Sequence, residues 1–178
     1  MSALDAVLTR VTSLGVFGTK MQSVINLPSK PGIGAIVNQQ FEVAVRISEH
    51  DLMPMIEPEA LIKGPDEAGA EALLLDELDS GLDALPDGAR IMLKLTISDV
   101  PDLYSGLTTH ERVVRTIALS GGYTRADTCR RLANNPGLIT SFFRALIDDL
   151  RKSMSDAEFT AEPEKTVDEI YTASTVKA

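Results

Sequence analysis

The chain has 178 residues, 44% of them hydrophobic and 24% charged, and a formal net charge of -9. This is the size of one domain, taken as residues 1–178, long enough to bury a core but short for most large enzyme folds. The acidic balance excludes a nucleic-acid surface and docking on anionic lipid, both of which need clustered Lys and Arg, while leaving room for an anionic metabolite where a few cations converge.

Cys129 is the only cysteine, so it has no partner for an internal disulfide, and oxidative secretion gains no support. The stretch Met1-Ser2-Ala3-Leu4-Asp5 lacks the basic region and apolar core of a signal peptide. No apolar run approaches the ~20 residues of a membrane-spanning helix. The expectation is a soluble, cytoplasmic protein.

Along the chain, short apolar runs alternate with amphipathic stretches. Residues 14–17 read as the first strand, with Lys20 just after it. Ile33, Ile36, Val37, Gln40, Phe41, Ala44 and Ile47 recur at three- and four-residue spacing and define one face of a helix. Residues 52–56 read as the second strand, ended by Glu57-Pro58-Glu59, where Pro58 opposes regular continuation. Residues 66–82 are rich in Ala, Leu, Glu and Asp and predict a helix, with Pro65 where a first turn tolerates it. The third strand is centred on residues 91–93, with Lys94 inside the segment 90–97. The fourth covers 113–119 and runs into Ser120-Gly121-Gly122. A helix is predicted at 125–134, a fifth strand at 138–142, and a helix from Arg144 to Lys152. The last helix runs from about 155 to 173, with a break at or near Pro163.

Strand-helix alternation implies parallel strands with right-handed crossovers. Five strands fit either a doubly wound open sheet or part of an eight-stranded β/α barrel, and their number does not choose between the two. The polar residues discriminate better. In four of the five strands a reactive residue interrupts or ends the apolar run, which is where β/α barrels build their active sites.

Lys94 shares a strand face with Met92 and Thr96. Partial desolvation there favours the neutral amine that attacks a carbonyl; the alternative is a lysine whose stem packs while its head reaches water. Glu57 and Glu59 offer a general acid/base near that lysine, or a pair of solvated loop carboxylates. Ser120-Gly121-Gly122 is able to turn backbone N–H groups toward a phosphate, or is an ordinary turn. Its place after the next-to-last strand favours the first option, because the last strand-to-helix loops commonly hold phosphate in barrels. Arg144, at the start of the following helix, is then placed to pair with the same phosphate, or is a surface arginine. His50 and His110 stand far apart without neighbouring ligands, which argues against a metal site. No Ser-His-Asp arrangement or Gly-rich nucleotide motif occurs, and Cys129 reads as inert.

Six segments carry a family resemblance: Gly15-Val16-Phe17-Gly18-Thr19-Lys20-Met21, Gln39-Gln40-Phe41-Glu42-Val43-Ala44, Pro54-Met55-Ile56-Glu57-Pro58-Glu59, Met92-Leu93-Lys94-Leu95-Thr96-Ile97, Ala118-Leu119-Ser120-Gly121-Gly122-Tyr123, and Ser141-Phe142-Phe143-Arg144-Ala145-Leu146. In this order and spacing they resemble the bacterial type of class I fructose-bisphosphate aldolase across essentially the whole chain. The resemblance implies a partial (β/α)8 TIM barrel, corresponding to strands four to eight. It also implies metal- and cofactor-independent, reversible cleavage of fructose 1,6-bisphosphate to dihydroxyacetone phosphate and glyceraldehyde 3-phosphate in glycolysis.

By the same resemblance Lys94 is the Schiff-base lysine, Glu57 the acid/base, Glu59 its neighbour and Lys20 a further active-site lysine. Ser120, Gly121, Gly122 and Arg144 hold the phosphate of the dihydroxyacetone half. Two departures stand out. The first three strands of the family, with an aspartate used in C–C cleavage and another lysine, have no counterpart. Gln22 occupies the place of an arginine that contacts substrate phosphate, which loses a charge and a bidentate fork. Five barrel strands also leave two open edges and one uncovered inner face, so the chain is expected either to be unstable or to pair with a missing piece or with another copy as a homo-oligomer. The rival readings are a non-catalytic remnant or interaction module, and a different Schiff-base enzyme for a phosphorylated sugar.

Overall fold

The computed structural model describes residues 3–178; Met1 and Ser2, the first residues of the N-terminal stretch read above, lie outside the described residues. The elements in order are α1 (Ala3–Ser13), β1 (Gly18–Ile25), α2 (Lys30–Ser48), β2 (Met53–Ala60), α3 (Glu67–Asp83), β3 (Ile91–Thr96), α4 (Ser105–Thr109), β4 (Val113–Leu119), α5 (Arg125–Ala133), β5 (Leu138–Thr140), a 3-10 turn (Arg144–Leu146) and α6 (Asp156–Thr175).

All five strands pair in parallel, in the order β1-β2-β3-β4-β5. Sequential order settles what the strand count left open. A doubly wound sheet reverses its winding at a switch point, whereas unbroken order with right-handed crossovers winds every connection to one side, as in a barrel. The core accordingly forms on the helix side of the sheet. Ile33, Val37, Phe41 and Ala44 of α2 and Leu74, Leu78 and Leu82 of α3 cluster there with Ile56, Leu93 and Leu95 of the strands. The other face of β1 carries Lys20, Gln22 and Val24, which are exposed, while Met21 packs against the core.

Several sequence expectations shift. The apolar run 14–17 is loop, not strand: Gly15 takes φ +74°, and Leu14 and Phe17 are each 70% exposed. Strand β1 begins at Gly18 because a Cβ there would lie 2.2 Å from the Met53 carbonyl oxygen, so only glycine permits the approach. Lys20 therefore lies within β1 rather than beyond a strand. Pro58 does not end β2 either. The strand pairs with β1 along its full length, whereas its pairing with β3 is confined to Met55↔Met92 and Ile56↔Leu93, flanked by prolines 54 and 58 that have no N–H to give. The Thr96 hydroxyl donates to the Ala60 carbonyl at 2.8 Å and ties the two strand ends together.

Toward the C-terminus, the helix expected from Arg144 to Lys152 is a single 3-10 turn. Asp149 is drawn to Arg125 at 2.7 Å, and the Arg151 guanidinium donates to the carbonyls of Asp148 and Leu150 in place of helical N–H groups. Helix α6 is continuous through Pro163. A complete capping box at Ser155 and Glu158 starts it, and buried Thr166, Ile170 and Ala173 hold its second half. Helices α1 and α4 were not foreseen. Among the described residues no helix is long and apolar enough to cross a membrane.

Candidate active site

The open face of the sheet holds a cavity of about 370 Å³ lined by Lys20, Gln22, Glu57, Glu59, Lys94, Leu119, Ser120, Gly121, Ser141, Phe143 and Arg144. Parallel pairing explains the convergence. Two residues on from the pair Met55↔Met92, along both strands, stand Glu57 and Lys94, and Gln22 is opposite Glu57 across β1 and β2.

Glu57 is the centre of the polar set. Its carboxylate is 3% exposed; Oε1 lies 3.0 Å from Lys94 Nζ, and Oε2 pairs with Lys20 Nζ. Lys94 is 16% exposed and Lys20 40%, so one buried carboxylate joins an inner and an outer ammonium. A buried carboxylate is tolerated only when paired. Here each oxygen has one cation. A second pair lies further along β1 and β2, where Gln22 Nε2 donates to Glu59 Oε2 at 2.5 Å. Lys20 Nζ also reaches Gln22 Oε1, at 3.5 Å.

Across the cavity, the loop after β4 turns on Gly121 and Gly122 at φ +60° and +113°, and Tyr123 N–H donates to the Ser120 carbonyl at 2.9 Å. The next residue is held by its hydroxyl, since Tyr123 donates to the Glu67 carboxylate at 3.0 and 3.2 Å and stacks under the Arg131 guanidinium 3.8 Å from its ring centroid. Burial, and then the neighbouring Glu67, push the Tyr123 phenol well above its usual range. Among the described residues no side chain pairs with the Arg144 guanidinium, which is exposed beside Ser120. Gly122 lines not this cavity but a smaller one of about 100 Å³ with Ser120, Tyr123, Arg144, Ala145 and Asp148.

The structure thus brings Lys20, Glu57, Glu59, Lys94, Ser120, Gly121 and Arg144 to one cavity and leaves Gly122 at its margin. The sequence reading missed Ser141 and Phe143, which lie on the wall just after β5; Phe143 is 73% exposed there. The fifth strand was expected at 138–142, which put Ser141 inside it, whereas β5 ends at Thr140 and leaves Ser141 and Phe143 in the loop that follows. Among the described residues no group of three or more His, Cys, Asp and Glu stands at metal-binding spacing.

The fold and this cavity define an α/β chain of the β/α-barrel type with its polar groups gathered on one strand face. No family model matches the sequence. It is 44% identical over 171 residues to the class 1 fructose-bisphosphate aldolase of Synechocystis sp., a match covering 96% of this chain and 57% of that protein. The fold superposes with a TM-score of 0.75 on fructose-bisphosphate aldolase from Plasmodium falciparum, crystallised with TRAP and a small-molecule inhibitor. That match covers 98% of this chain and 61% of the other, and its 18% identity makes it a likeness of fold. The chain is a relative of the class 1 fructose-bisphosphate aldolases, and it spans between half and two thirds of the length of these two proteins.

Proposed function

We propose that this chain carries the Schiff-base half of a class I fructose-bisphosphate aldolase, corresponding to its C-terminal part. The observation that supports this most directly is Lys94 held 3.0 Å from the buried carboxylate of Glu57, with a cation-bearing loop cluster across the same cavity. Lys94 Nζ adds to the C2 carbonyl of a ketose phosphate, and loss of water gives the imine. Glu57 takes the proton from the amine and returns it to the departing hydroxyl, with Lys20 balancing its charge. The protonated imine then withdraws electrons as the C3–C4 bond breaks, while the C4 hydroxyl, which becomes the aldehyde carbonyl, gives its proton to a base supplied by the family's first three strands. The aldehyde leaves, and the enamine takes a proton at C3 before water releases dihydroxyacetone phosphate. Ser120, Gly121 and Arg144 hold the C1 phosphate. The substrate is a phosphorylated sugar, and the aspartate that assists C–C cleavage in the family belongs to its first three strands.

The test is covalent capture. Borohydride reduction in the presence of dihydroxyacetone phosphate should fix one adduct, mapped by mass spectrometry to Lys94, and Lys94→Arg should abolish it because a guanidinium stays protonated. A folded chain that gives no adduct, or gives adducts scattered over surface lysines, supports the remnant reading instead.

A further inference from the structure

We propose that Tyr123, which stands outside the main cavity, is a positioning residue: bonded to Glu67 and stacked under Arg131, it fixes the turn that carries Ser120. The inference rests on the functional reading above and deepens it. Two consecutive glycines make that turn, at φ +60° and +113°. Such a pair permits the tight geometry but leaves the backbone free to adopt many others. Strand β4 holds the turn from one side, where the Leu119 carbonyl accepts from Ile97 N–H at 3.0 Å. Tyr123 holds it from the other side at three points. Its N–H donates to the Ser120 carbonyl at 2.9 Å, its hydroxyl donates to Glu67 at 3.0 Å, and its ring centroid lies 3.8 Å from the Arg131 guanidinium.

The three points belong to different strand-to-helix connections. Glu67 stands in the first turn of α3, which follows β2, the strand of Glu57. Arg131 belongs to α5 and pairs with Asp99, just after β3, the strand of Lys94. One side chain after β4 therefore ties its own turn to the connections that follow the other two strands. A shift of Tyr123 moves Ser120 relative to both Glu57 and Lys94. The contacts also separate positioning from packing. A phenylalanine would fill the same space, whereas the hydroxyl adds a directional bond to a carboxylate. Helix α5 does not need that bond to start, because the Thr124 hydroxyl already accepts from Asp127 N–H.

The experiment is borohydride capture on Lys94 of the full chain with two ketones, dihydroxyacetone phosphate and dihydroxyacetone, which differ only in the phosphate. Tyr123→Phe keeps the ring and removes the hydroxyl. It should raise the half-saturating concentration of dihydroxyacetone phosphate about tenfold, equivalent to ~1.4 kcal/mol of binding, with the labelling rate at saturation within about twofold of wild type. Capture of dihydroxyacetone should not change. Glu67→Ala should act in the same way and covers the case in which the phenylalanine variant does not fold. Adding Tyr123→Phe to it should cost nothing further, because the two substitutions remove one bond. Glu67→Gln retains an acceptor oxygen and should recover most of the affinity. A side chain that serves stability alone weakens both ketones together, or moves only the urea midpoint. Either result overturns the proposal. Failure of both ketones to label Lys94 of the wild-type chain defeats the functional reading itself, and this proposal with it.

Discussion

A methyl group at position 121 would have to lie 2.6 Å from Ile62 Cγ2 and 3.2 Å from Thr96 Cγ2, on a backbone held at φ +60°. Both constraints act at one residue, and that residue carries the turn that presents Ser120 toward Arg144. For Gly121→Ala we expect a destabilisation of about 1–3 kcal/mol, from left-handed strain and overpacking together. The half-saturating concentration of dihydroxyacetone phosphate in the capture assay should rise tenfold or more, while labelling at saturation still reaches Lys94. Trimming the obstacle, with Ile62→Ala added, should restore part of the affinity but not the strain. If Gly121→Ala captures as wild type does, the turn has no part in holding the phosphate. Glu57 sets a different limit. Each of its oxygens serves one lysine, so Glu57→Gln leaves one ammonium facing an amide oxygen and the other an amide nitrogen. We expect adduct formation on Lys94 to slow by 10²–10⁴, the usual range for a lost acid/base, measured from the rate of reductive labelling. An unchanged rate would place the proton shuttle elsewhere.

At the level of elements, the sequence was most readable where periodicity and capping agree. Helix α2 has its apolar face at three- and four-residue spacing, Ser29 as N-cap and a proline in its first turn. Helix α5 has Thr124 at its N-cap, with the hydroxyl accepting from Asp127 N–H. The site was legible for a related reason: a charged or small polar residue next to a strand's apolar run tends to face the open side, and parallel pairing does the rest. The misses came from contacts that local patterning does not contain. The run 14–17 looks like a strand, but which residues pair is decided by the Gly18–Met53 approach 35 residues apart in the chain. The segment 144–152 has helical composition, but Asp149 is held by Arg125 from another element. Pro163 was read as a break, whereas long-range packing of Thr166, Ile170 and Ala173 keeps α6 intact across it. That packing works against a missing hydrogen bond to the carbonyl four residues earlier and a ring clash. Pro163→Ala should therefore raise stability by about 1–3 kcal/mol, seen as a higher urea midpoint at constant slope. A lower midpoint would mean that the ring's own packing outweighs the lost bond.

For the molecule as a whole, one built-in dependence on pH between 4.5 and about 7 comes from Glu71, a carboxyl of α3 that lies inside the core and outside the cavity. It accepts from the Ser98 hydroxyl at 2.7 Å and the Tyr104 hydroxyl at 3.2 Å, and so ties α3 to the segment between β3 and α4. Burial raises its pKa from 4.5 to about 7, with the nearby Glu67 adding to the rise and the Ser98 and Tyr104 hydrogen bonds and the Arg131 charge opposing it. The sign follows from proton counting. Between pH 4.5 and about 7 the folded chain holds a proton on Glu71 that the unfolded chain has released, so stability falls as pH rises across this window. The contribution is fully present below pH 4.5 and gone above about 7. Its size, on the order of 3 kcal/mol, is the free energy of a shift of that extent. Glu71→Gln keeps an oxygen for Ser98 or Tyr104 but cannot ionise. Urea unfolding of both proteins at a series of pH values from 4.5 to 8 should show the variant gaining on the wild type as pH rises, with the difference levelling off near pH 7. Taking the difference cancels every other titrating group that the two chains share. A difference independent of pH would show that Glu71 is ionised in the fold throughout, with its two hydroxyl partners sufficient to hold the charge.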